Sequence, residues 1–150
     1  MGVDIRSPHF NVSMSYGGFY RLRIRIATLI SEDWRKHYYD EAEEIRLGLY
    51  DSDGQQGDPW AEYNAKTERM ANELPEKVWP VVDFLYKSDC EGELGADECG
   101  ALALFLMEHR SEWIDETATY AYALHPPFAL YHFYVMVMDG ADTGEGISWI

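Results

Sequence analysis

The stretch that most constrains the fold lies at residues 83–107, which read DFLYKSDCEGELGADECGALALFLM. Residues 81–85 place apolar side chains at the spacing of one helix face, and residues 101–106 repeat that pattern after a break. The break is acidic and contains Gly92, a residue that allows a sharp change of chain direction. The pattern predicts a hairpin of helix, acidic loop and helix at the centre of the chain.

The acidic loop can be aligned with the EF-hand loop, in which oxygen ligands surround a calcium ion and a glycine occupies the sixth position. With Gly92 as that glycine, ligand positions fall on Asp89, Glu91 and Glu98. The first ligand position then falls on Lys87, whose ammonium group opposes a cation. We therefore expect no metal here, and we keep these three carboxylates only as a weak alternative metal site.

The rest of the chain predicts helices with two short strands. Alternating apolar and polar residues indicate a half-buried strand at residues 9–15, followed by a turn and a helix from residue 19. Helices are also predicted at residues 34–50, after Asp58 and at residues 128–138, with a loop at residues 51–59 and a strand at residues 146–150. We expect the two strands to pair as a small sheet in a single, compact, mainly helical α+β domain spanning residues 1–150.

Charge is the strongest compositional feature. The formal net charge is -15, and residues 1–36 carry six basic against three acidic side chains, so that residues 37–150 account for -18. A surface of this sign repels nucleic acid and anionic membranes and attracts basic protein surfaces. The candidate partner-binding residues are Asp89, Glu91, Glu93, Asp97 and Glu98 in the central loop, and Asp40, Glu41, Glu43 and Glu44 in an earlier helix.

A basic cluster near the N-terminus offers a different class of function. Arginines beside aromatic rings can hold the phosphates and the base of a nucleotide. The residues of this alternative ligand site are Arg21, Arg23 and Arg25 with Tyr16, Phe19 and Tyr20. A helix would place Arg21 and Arg25 on one face.

No catalytic motif is present. The sequence lacks a nucleophile motif, a phosphate-binding glycine loop and an HExxH pair, so we expect no enzyme and no cofactor. Cys90 and Cys99 lack CxxC spacing and are expected to be reduced structural thiols. No signal-peptide pattern or uninterrupted membrane span is visible, which indicates a cytoplasmic protein.

The opening MGVDIRS, the segment YGGFYRLR and the central FLYKSDCEGELGADEC together resemble a family of small phage and prophage proteins of Gram-positive bacteria. That family, whose function is unknown, combines an MGxDI-type start with a later SDCxGE…C loop and often a tryptophan near the C-terminus, here Trp149. The resemblance implies an accessory role in a mobile element. We therefore expect a non-enzymatic acidic protein that binds a basic, nucleic-acid-binding surface of a host protein, as anti-CRISPR-type inhibitors and other nucleic-acid mimics do.

Overall fold

The computed structural model describes residues 2–48, 58–119 and 127–150. Its four strands form one antiparallel sheet in the order β2-β1-β4-β3. The strands are β1 (Gly2–Arg6), β2 (Asn11–Ser15), β3 (Gly92–Leu94) and β4 (Ile147–Trp149). Val3 and Ile5 alternate with polar residues along β1 and are buried, as the period of two requires.

The expected small sheet is present, but the two predicted strands do not pair with each other, because a strand that the sequence pattern did not identify lies between them. β4 pairs with β1, in the register Ile5 opposite Trp149, and β2 lies outside β1. β1 contributes only two buried side chains, which is too short a pattern to predict a strand. The fourth strand, β3, lies within the central acidic loop and pairs with β4.

Helix α1 (Tyr16–Ile30) follows β2 without the predicted turn at residues 16–19. Ser15 ends the strand and caps the helix, because its hydroxyl oxygen accepts a hydrogen bond from the backbone N–H of Gly18 at 2.9 Å. Phe19, Leu22 and Ile26 face the core at helical spacing. A longer helical segment comes next, made of α2 (Glu32–Arg35), a π-helical stretch (Lys36–Glu41) and α3 (Ala42–Arg46).

Most of the loop predicted at residues 51–59 lies outside the described residues. Asp58 then caps α4 (Pro59–Asn72), with proline at its first position, as predicted. A 3₁₀ turn (Glu76–Val78) leads into α5 (Trp79–Leu85), and the predicted central hairpin continues through β3 into α6 (Ala96–Glu108).

The chain is completed by α7 (Arg110–Thr119) and α8 (Pro127–Thr143). The result is a single, mainly helical α+β domain, as the sequence predicts. The core lies where the sheet meets α1, α5, α6 and α8, and includes Phe84, Leu102, Phe133 and Trp149. None of the described helices is long and apolar enough to cross a membrane.

Candidate functional site

The acidic loop is held to the core by one buried arginine. Arg23 projects inward from α1 and only 1% of it is exposed. Its guanidinium donates hydrogen bonds to the backbone carbonyls of Lys87 at 2.6 Å and Ser88 at 3.2 Å, and to the carboxylate of Asp89 at 2.9 Å. The Asp89 side chain is 61% exposed and can be solvated by water, so the two partly buried carbonyls depend more on this donor.

Aromatic rings enclose the same guanidinium. Its central carbon lies 4.3 Å from the ring centre of Phe19, 5.0 Å from that of Phe84 and 6.0 Å from that of Trp149. Burial lowers the pKa of Arg23, and the nearby Asp89 charge opposes that shift. The guanidinium therefore stays charged in a dry environment and contacts the loop from beneath.

Trp149 makes a second connection between the core and the loop. Its indole N–H donates to the Ser88 carbonyl at 3.0 Å. Gly92 lies directly on the indole, where a Cβ atom would approach a ring carbon to 2.2 Å. Residues of the YRLR segment of α1 and of the SDCEGE segment of the loop thus meet at one place in the fold.

The contacts of the loop carboxylates do not support the EF-hand alternative. Asp89 contacts Arg23, while Glu98 accepts a hydrogen bond from the Gly95 N–H at 3.2 Å and lies 3.8 Å from Lys87. These two carboxylates are therefore committed to the protein itself. Across the described ranges, no three His, Cys, Asp or Glu side chains are grouped as metal ligands would be.

The two thiols are free and differ in burial. Cys90 is exposed, whereas Cys99 is buried on α6, where burial raises its pKa to about 11. A thiol with that pKa stays protonated near neutral pH, so Cys99 behaves as a small core residue, as predicted.

Three predicted acidic residues and one further carboxylate form what we call the acidic face: Glu91, Glu93, Asp97 and Glu145. All four are exposed, and none has an ion pair with another described residue. Glu93 and Glu145 line the same open cleft of about 500 Å³, together with Arg6. Glu145 is far from the loop in sequence, and only the pairing of β3 with β4 brings it there.

The second predicted acidic group is mostly paired within the protein. Asp40 lies 3.4 Å from Arg35, Glu41 contacts both His37 and Lys66, and Glu43 lies 2.5 Å from Arg46. Only Glu44 is exposed without an ion pair to another described residue. This group is therefore a poorer binding surface than the acidic face.

The structure does not bring the predicted arginine cluster together as a single site. Because α1 is helical, Arg23 points into the core while Arg21 is exposed on another side, and Arg25 is half-buried. Tyr16 is exposed at the start of the helix. Of the predicted ligand residues, Tyr20 and Arg23 do share a cavity, but with partners from other helices.

That cavity has a volume of about 220 Å³, and we call it the aromatic cavity. It is lined by Tyr20, Arg23, Tyr38, Ala42, Arg46, Trp60, Tyr63, Asn64, Leu85, Tyr86, Lys87 and Asp89. Most of these residues could not be assigned to one site from the sequence, because they come from four separate segments of the chain. The three-residue spacing of Trp60 and Tyr63 on α4 was the available signal. A more open cavity of about 590 Å³ lies on the other side of Tyr63, between α3 and α4.

A buried histidine joins the π-helical stretch to α4. His37 is fully buried, with Nδ1 2.6 Å from the Glu41 carboxylate and Nε2 2.7 Å from the Thr67 hydroxyl. Its ring stacks on that of Tyr63 at 4.1 Å between centres. Burial lowers the His37 pKa even though the Glu41 carboxylate favours the charged form. The Thr67 hydroxyl also bonds to the Tyr63 carbonyl at 2.9 Å within its own helix, which suits a structural role.

No known protein family, curated protein or solved structure matches this chain, so its function has to be argued from these sites.

Proposed function

We propose that this protein is a non-enzymatic accessory protein of a phage or prophage that acts in the cytoplasm of the bacterial host. Its acidic face binds a basic surface that a host protein uses for nucleic acid, as an anti-CRISPR-type or other host-defence inhibitor would. In this role the protein mimics nucleic acid and does not bind it.

This proposal rests on one observation: the carboxylates of the acidic face have no ion-pair partner among the described residues, whereas most of those in the second acidic group have one. Glu91, Glu93, Asp97 and Glu145 are exposed and have no ion pair within the described chain, whereas Asp40, Glu41 and Glu43 do. A carboxylate that already has a cationic partner must lose it before it binds another. The unpaired set needs no such exchange, and its net negative charge steers basic partners towards it.

Rigidity of the frame also supports the proposal. Arg23 and Trp149 bind loop carbonyls that precede Glu91 in the chain, and β3, which directly follows Glu91, pairs with β4. A surface that is already ordered loses little conformational freedom when a partner binds. The backbone that carries these carboxylates is therefore ordered before a partner binds, which limits the entropic cost of replacing phosphates on a basic surface.

The test is affinity capture from a bacterial lysate with three forms of the protein. The wild type is compared with a double charge reversal of the acidic face, Glu91→Lys with Glu93→Lys. The matched control is Glu68→Lys with Glu73→Lys, which changes the net charge equally at two exposed positions of α4 and its end. Thermal unfolding shows first that all three are folded.

We expect the wild type and the control to retain a basic nucleic-acid-binding protein that the acidic-face variant does not retain. Added DNA or RNA should release it, because polyanions compete for the same surface. Equal retention by all three forms, or retention that DNA and RNA leave unchanged, would overturn the assignment.

A further inference from the structure

The aromatic cavity has features of a small-molecule site that does not depend on the acidic face. Its rings come from α1, the π-helical stretch, α4 and the end of α5. Tyr38 and Tyr86 meet at an interplanar angle of 76°, and Trp60 and Tyr63 meet at 77°. Edge-to-face contact is a preferred packing of aromatic rings, so these rings support one another in the cavity wall.

Cationic groups outnumber anionic groups in the lining. Arg23, Arg46 and Lys87 line the cavity with one carboxylate, Asp89. Arg23 is paired with Asp89, whereas the partners of Arg46 and Lys87, Glu43 and Glu98, do not line the cavity. A positive lining is unusual in a chain whose net charge is -15. Because the net charge of the protein is negative, long-range electrostatics do not attract an anion to this cavity. Binding of an anion here would depend on direct contacts with the lining residues.

Arg46 is positioned to bind a ligand at the mouth of the cavity. Its side chain is 48% exposed, and its guanidinium lies 5.6 Å from the ring centre of Tyr20 and 6.0 Å from that of Trp60. One nitrogen, Nη1, donates to both the Tyr20 hydroxyl and the Glu43 carboxylate. Nε and Nη2 have no acceptor among the described residues, so two donor groups remain for an anionic oxygen.

Arg23 forms part of the inner wall of the cavity. It is 99% buried, and its Nε–H has no hydrogen-bond acceptor and is not accessible to solvent. The exposed Arg46 is therefore the arginine of this cavity that a ligand can contact.

Size and chemistry together indicate the class of ligand. A volume of about 220 Å³ is below the range typical of drug-sized ligands, and so suits a single planar ring system. We propose that the aromatic cavity binds a small planar aromatic molecule with an anionic group, its ring against Tyr20 and Trp60 and its anion on Arg46 and Lys87. Mononucleotides and aromatic carboxylic acids share this chemistry.

The test is binding of defined probes to the full chain by isothermal titration calorimetry. The first arm uses the four ribonucleoside 5′-monophosphates and cyclic AMP, and the second uses indole-3-acetate and 4-hydroxyphenylpyruvate. Adenosine and inorganic phosphate test the ring and the anion separately. The variants are Arg46→Gln and Trp60→Leu, with Arg21→Gln as a control that removes the same charge from an exposed position of α1.

We expect at least one ring-plus-anion probe to bind at least ten times more tightly than adenosine or phosphate. Arg46→Gln and Trp60→Leu should each weaken that binding at least tenfold, and Arg21→Gln should leave it unchanged. Binding by the first arm identifies a nucleotide site, and binding by the second arm alone identifies an aromatic-acid site. Failure of every probe to bind at millimolar concentration, or binding that survives both cavity substitutions, would overturn the proposal.

Discussion

Replacement of Arg23 by alanine should destabilise the protein strongly even though it removes a charge from the core. In the native structure the guanidinium donates to the Lys87 carbonyl at 2.6 Å and the Ser88 carbonyl at 3.2 Å, and packs on Phe19. Ser88 keeps one donor, the Trp149 indole, whereas the Lys87 carbonyl has no other described donor. An unpaired carbonyl costs about 1–3 kcal/mol, and the cavity left by a large buried side chain costs about 2–5 kcal/mol.

A loss of about 4 kcal/mol corresponds to a fall of about 8–16 °C in melting temperature for a domain of this size. Circular dichroism during heating and during urea titration measures both quantities. Arg23→Lys should restore only part of the loss, because one ammonium cannot reproduce the two-nitrogen contact. Arg21→Ala, an exposed position two residues earlier, should change stability by less than about 0.5 kcal/mol.

The same reasoning predicts a small effect for the ionic partner. The Asp89 side chain is 61% exposed, so Asp89→Asn should cost less than about 1 kcal/mol. If Arg23→Ala costs no more than Arg21→Ala, or if Asp89→Asn costs as much as Arg23→Ala, then Arg23 does not hold the loop through its backbone carbonyls.

Three other predictions follow from the contacts. Gly92→Ala should lower the melting temperature by several degrees because its Cβ would lie 2.2 Å from the Trp149 ring, whereas Gly95→Ala has room; equal melting temperatures would contradict the packing. Because the His37 pKa is lowered in the folded protein, the unfolded chain binds a proton more readily, and the free energy of unfolding should fall as the pH drops through about 6.5. His37→Gln should make this pH dependence less steep, and an unchanged pH dependence would refute the prediction. Calcium should not raise the melting temperature of EDTA-treated protein, since Asp89 is committed to Arg23; a rise abolished by Glu98→Gln would restore the EF-hand alternative.

Much of the architecture could be predicted from local patterns. The apolar spacing on both sides of the central loop predicts α5 and α6, and Asp58 followed by Pro59 predicts the start of α4. These signals are local because capping and helical periodicity depend on residues within one or two turns.

The burial of Arg23 could be predicted only if residues 21–26 were assigned to a helix, and local patterns do not decide that assignment. Residues 21–26 read RLRIRI, which fits both a strand and a helix. As a helix, it places Arg23 four residues after Phe19 and three before Ile26, on the apolar face, so its burial could have been inferred. Its acceptors could not, because they are backbone carbonyls more than sixty residues away.

Sites assembled from distant segments were the least predictable. Glu145 joins the acidic face only through strand pairing, and the residues of the aromatic cavity come from four separate segments. The opposite error occurred for Asp40, Glu41 and Glu43, where numerous charges suggested a binding surface. Each of these carboxylates has a basic partner within five residues or on α4, which composition does not reveal.

The most direct test of nucleic-acid mimicry is a three-way binding measurement with the purified captured partner. Its affinity for this protein is measured by titration at 50 mM and 200 mM salt, without nucleic acid and with saturating nucleic acid. We predict that the affinity falls at the higher salt concentration and that saturating nucleic acid abolishes binding. The variant carrying Glu91→Lys and Glu93→Lys should bind the partner at least ten times more weakly than the wild type. A ternary complex of the partner with both this protein and nucleic acid would contradict the central claim.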